Sequence, residues 1–183
     1  MRNKGGTRIQ KSPIMSHSNE YLLRVLQKGK QMIKFENQVT IDLPINDVFR
    51  FVTNLENIPK WNYFVQSVSK KSNGTSEVGS VYHQVRKNDS QNLKIVELKP
   101  NENLVVETIP PSKPNLRREM TFHVKDESTK IVDRWELSFG LFGPLETLAG
   151  NRVKSAVKEN LQKLKELLET GNTTLQDGRT VAL

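Results

Sequence analysis

At 183 residues the chain is long enough for one domain with a sizeable core and too short for two comfortable ones. It is 35 % hydrophobic and 26 % charged, and its lack of cysteine excludes a disulfide framework, a thiolate nucleophile and a zinc–thiolate site. The formal charge of +8 suggests nucleic acid, but Arg2, Lys4, Arg8, Lys11, Arg24, Lys28 and Lys30 stand against Glu20 alone in residues 1–31, so most of the excess belongs to that segment.

The remainder lacks the basic stripe with interleaved aromatics that a nucleic-acid partner requires. No apolar run approaches the roughly 20 residues that cross a bilayer, so stable membrane insertion is not expected. The cytoplasm is the default location.

Residues 1–31 have no periodicity until Ser18, where Ser18 to Leu26 could form a short capped helix. Three readings stand side by side: an upstream extension ahead of a natural start at Met32, a basic transit peptide, or a surface helix docked on the domain. All three leave the chemistry to residues 32–170.

From Ile33 the pattern becomes regular. Ile33, Phe35, Val39 and Ile41 alternate, which predicts a strand with one buried side over residues 33–42. Pro44 opens a helix carrying Val48, Phe49, Phe51 and Val52. A second short helix, broken by Pro59, ends at Trp61. Strands are then expected at 64–69, 81–86, 93–98, 104–109, 116–124 and 130–139, with turn chemistry such as Asn73-Gly74 and Pro110-Pro111 between them. Gly143-Pro144 begins a long helix whose apolar stripe runs from Leu145 and Leu148 to Leu167 and Leu168, with Gly171 as its stop. Residues 171–183 carry no pattern and are expected to be a disordered tail.

This order defines an α+β protein of helix-grip type: a curved antiparallel sheet of about seven strands around a long C-terminal helix, with two short helices after the first strand. The run from Val39 to Trp61, with its Val48-Phe49 pair and its Pro59-Lys60-Trp61 ending, resembles the START-like (SRPBCC) superfamily and within it the polyketide cyclase/dehydrase-like group. Val78-Gly79-Ser80 before a strand, Glu97 to Asn101 closing one, and Leu145 to Glu169 match in character, so the resemblance covers roughly residues 32–170. It implies a cavity between sheet and helix, open near the short helices and the start of the long one. Members bind lipids, sterols, quinones, plant hormones or polyketides, and others cyclise or dehydrate. The iron–sulfur ligands of the ring-hydroxylating branch are absent, because there is no cysteine.

On the strand over 116–124, Leu116, Arg118, Met120 and Phe122 share a face, and His123 falls on the other. On the last strand Ile131, Asp133, Trp135, Leu137 and Phe139 share the face that meets the helix. An inward carboxylate needs a partner, and Arg118 is the obvious one: either a structural ion pair or polar groups orienting a ligand. His83 shares a face with Val81 and Val85, either inside the cavity or as a structural residue, whereas His17 has no assigned role. Trp61 and Tyr63 are expected at the rim, and Leu148 and Val153 in the helical wall; Gly150 between them serves either space or close packing. No histidine pair has metal-ligand spacing, so no metal or other cofactor is expected.

The expected function is a binding or carrier protein for a small hydrophobic or amphipathic ligand, as monomer or homodimer. The alternative is a cofactor-free cyclase or dehydratase using His83 or Asp133 for proton transfer. An adaptor acting through the outer sheet face is a third reading.

Overall fold

Residues 32–141 and 143–183 are described by the computed structural model. The basic segment 1–31, with His17 and the expected helix from Ser18, lies outside them. β1 (Ile33–Ile41) alternates as its sequence requires, with Val39 and Ile41 buried. The carbonyl of Pro44 accepts from the N–H groups of Asp47 and Val48, which starts α1 (Ile45–Thr53) and turns Val48 and Val52 into the core. A 3₁₀ helix (Leu55–Lys60) follows. Asn54 Oδ1 caps it by accepting from Glu56 N, and Pro59 limits it to one short run that closes at Trp61.

Six further strands make an antiparallel meander: β2 (Val65–Lys70), β3 (Val81–Arg86), β4 (Ser90–Lys99), β5 (Asn103–Thr108), β6 (Asn115–Lys125) and β7 (Ser128–Ser138). The sheet order is β1-β7-β6-β5-β4-β3-β2, so the first strand returns to pair with the last. Register shifts between Ile95 and Glu97, and between Val65 and Ser67, mark bulges, which increase strand twist and bend a sheet. The turn before β5 places Asn101 at φ 59°, a left-handed position that asparagine tolerates.

α2 (Gly143–Thr170) lies across this sheet. Its second half buries Val157, Leu161, Leu164, Leu167 and Leu168 against Val39, Ile41, Ile131 and Phe122. Each such side chain contributes about 1.5–3 kcal/mol when fully buried. Gly171, at φ 82°, ends the helix with its N–H bonded to Leu167 O at 2.9 Å. The helix-grip fold is the one expected.

The first turns of α2 depart from the expected stripe. Leu145 and Leu148 are exposed, Leu148 by 50 %, while Glu146 and Gly150 face inward with Val153 and Val157. Both inward residues have a local reason. Glu146 is fully buried because its two oxygens accept from the backbone N–H groups of Phe139 and Leu141, each at 2.7 Å. Gly150 lies against β1, where an added Cβ would meet Ile33 Cδ1 at 2.6 Å. Close packing therefore accounts for this glycine.

The tail departs as well. Instead of being disordered, residues after Gly171 form a hairpin of β8 (Asn172–Thr174) and β9 (Thr180–Ala182). Thr173 and Leu175 are buried, and Leu175 supplies the apolar anchor that the short pattern concealed. Gln176 Nε2 donates to Asn160 Oδ1 of α2 at 3.3 Å, Arg179 Nη2 donates to the Tyr63 carbonyl at 3.3 Å, and Asp177 pairs with Lys87 at 3.1 Å.

Candidate functional site

Where the last turns of α2 fill the sheet with leucines, its middle leaves space. A cavity of about 290 Å³ lies between the inner sheet face, the 3₁₀ helix and the α2 segment from Arg152 to Asn160. The sheet contributes Leu93, Leu104, Val106, Met120 and Leu137; the short helices contribute Val52, Leu55 and Ile58. The wall is hydrocarbon over most of its extent.

Polar groups enter it in two clusters. In the first, Arg118 and Asp133 form the expected ion pair. Arg118 Nε donates to Asp133 Oδ1 and Nη2 to Oδ2, both at 2.8 Å. Met120 stands opposite Asp133 and Arg118 opposite Trp135, so the bidentate pair is diagonal across β6 and β7. Asp133 is wholly buried and Arg118 only 8 % exposed. The guanidinium carbon lies 4.9 Å from the Trp135 ring centre and 5.4 Å from that of Trp61, which supplies cation–π attraction on two sides. Both indole nitrogens are buried without a hydrogen-bond partner among the described residues.

The second cluster comes from β3 and β4. Gln84 and Gln91 face one another across the strands, both buried, and Gln91 Oε1 has no partner among the described residues. Arg86 extends the same face and is held by both oxygens of Asp89, at 2.6 and 2.7 Å, and by the Lys113 carbonyl at 2.8 Å. Beneath the cluster Tyr82 is buried, and burial raises its phenol pKa above the ordinary value although Ser76 hydrogen-bonds it at 2.6 Å.

Seven of the residues picked from sequence meet at the cavity: Trp61, Tyr63, Arg118, Met120, Trp135, Phe139 and Val153. Four do not. Asp133 lies behind Arg118, off the wall. Phe122 packs edge-on to Phe49, with ring centres 5.1 Å apart, in the core beyond the cavity. Leu148 points outward. His83 is on the opposite face of β3, where Nδ1 meets Asn92 Oδ1 at 3.0 Å. The inward face of that strand is Tyr82, Gln84 and Arg86, so apolar alternation picked the wrong side: Val81 and Val85 flank His83 on the outer one. His123 is exposed beside Thr121, as its register implied.

Gln84, Arg86, Gln91, Arg152 and Asn160 were missed. Gln84 stands on the strand expected over 81–86, but β4 begins at Ser90, ahead of the strand expected at 93–98, so the pairing of Gln84 with Gln91 had no signal in the sequence. Among the described residues no three His, Asp or Glu side chains gather as metal ligands, and no helix is long and apolar enough to cross a membrane.

A family model described as polyketide cyclase / dehydrase and lipid transport matches residues 32–169. No curated protein sequence matches the chain. Among solved structures, DR_A0006 from Deinococcus radiodurans is 14 % identical with a TM-score of 0.57, covering 76 % of this chain and 99 % of that one. Ara h 8.0201 is 16 % identical with a TM-score of 0.59 and the same coverage. Similarity at this level concerns the fold.

Proposed function

The chain belongs to the polyketide cyclase/dehydrase and lipid transport family, and on that premise we propose that it is a binding or carrier protein for a small hydrophobic or amphipathic molecule held between the sheet and α2. The observation that carries this reading is a largely hydrocarbon wall interrupted by a few convergent polar groups, the composition of small-molecule sites. Space of about 290 Å³ lies just under the range for such sites, roughly 300–1,000 Å³. It suits a single ring system or a medium-length chain better than a sterol or a two-chain lipid.

The cyclase alternative loses its assigned groups. His83 is on the other sheet face, and both Asp133 oxygens are held by Arg118. Neither is placed to move a proton in the cavity.

Native mass spectrometry of the purified protein tests the reading. A small molecule retained with the chain and released by organic solvent is expected. Bare protein that also binds no member of a panel of small amphipaths would refute it.

A further inference from the structure

Resting on that carrier reading, we propose that the ligand is an amphipathic anion, with its acidic group at Arg152 in the mouth and its apolar body directed inward. Among the described residues the charged side chains lining the cavity are Arg86, Arg118 and Arg152, with no carboxylate on that wall; Glu159 borders only the outer recess and makes no ion pair with Arg152. Two of these cations are balanced. Arg86 is held by Asp89 and Arg118 by Asp133. Arg152 is exposed and makes no ion pair among the described residues. It also borders the outer recess formed with Tyr63, Ala156 and Glu159, which places it where the cavity meets solvent.

Charge balance decides where an acid goes. A second carboxylate beside the neutral Arg118–Asp133 pair would bury a net negative charge, which is strongly disfavoured. At Arg152 the same group keeps part of its hydration and meets an unbalanced cation. The interior then favours neutral acceptors on the ligand body. Two of Arg118's five N–H donors are engaged with Asp133, and the buried indole N–H groups of Trp61 and Trp135 have no acceptor among the described residues. The Gln84–Gln91 amides add donors and an acceptor. A cationic ligand would meet only arginines among the charged lining residues.

Calorimetric titration of the full chain with octanoate and decanoate, against octanol and decanol, tests the assignment. An alcohol of equal length partitions better into a purely apolar site, so a preference for the acid is diagnostic. The carboxylates are expected to bind about fivefold tighter at low salt, with the margin shrinking as salt rises. Arg152→Glu is expected to reduce that ratio by about tenfold. Because Arg152 is exposed, this variant should fold. Alcohols binding as tightly as the acids, or a ratio unchanged in Arg152→Glu, would overturn the anion assignment and leave the carrier reading intact. Binding of neither series would overturn both.

Discussion

Asp133 has no exposed surface, and both of its oxygens are held by a guanidinium that is itself nearly buried. Removing the carboxylate strands the cation between two indole rings. Asp133→Ala is therefore expected to lower stability by about 3–5 kcal/mol in urea unfolding, and the paired change Arg118→Met with Asp133→Leu by less than the single one. A double variant as unstable as the single would contradict the pairing argument. The pair was legible in sequence because alternation on two adjacent strands put opposite charges on one apolar face. His83 misled for a related reason: a strand lining a polar corner of a cavity turns Gln84 and Arg86 inward, which inverts the hydrophobic pattern. At Gly150 two effects oppose. Alanine gains about 1 kcal/mol of helix propensity, but its Cβ would overlap Ile33 Cδ1 and Cγ2, at 2.6 and 2.7 Å, and overpacking costs typically 1–3 kcal/mol. Gly150→Ala should be destabilising by about 1 kcal/mol net, and Ile33→Ala in the same chain should relieve it in a double-mutant cycle. A stabilising Gly150→Ala would show that β1 and α2 yield easily.

The elements divide by how local their reasons are. Strands, turns and the second half of α2 follow from periodicity in their own residues, so their positions could be read directly. The first turns of α2 could not, because Glu146 faces inward to bind backbone N–H groups of the preceding connection and Gly150 yields to a strand more than a hundred residues away. The C-terminal hairpin was missed because its few anchors act through Asn160, Tyr63 and Lys87. Its attachment is expected to depend on pH. Partial burial raises the Asp177 carboxyl pKa, but hydrogen bonds from Lys87 and Arg179 outweigh that and hold it below the ordinary value. A carboxylate depressed by folding contributes stability above its unfolded pKa, about 3.9, and loses it as pH falls through the lower folded value. Acidification below about pH 4 should therefore speed amide exchange at Thr173 and Leu175 ahead of the sheet. Asp177→Asn should make that exchange fast already at neutral pH. Simultaneous release of hairpin and sheet in the native protein would contradict this.

At the scale of the whole molecule, the described core runs from Val39 to Leu175 and is closed by the sheet, α1, the 3₁₀ helix, α2 and the hairpin. Deleting residues 1–31 is expected to shift the thermal midpoint by less than about 2 °C. A larger fall would place part of that segment against the domain. The central claim is that one cavity beside α2 holds a small apolar molecule. The chain has two tryptophans, and both line that cavity, so energy transfer from tryptophan to N-phenylnaphthylamine reports occupancy from within. The most direct measurement is that titration on the native protein and on Ala156→Phe, which places a ring in the mouth. One equivalent bound with strong tryptophan quenching, lost in Ala156→Phe at unchanged circular dichroism, is the predicted result; undiminished binding by the filled variant would contradict it.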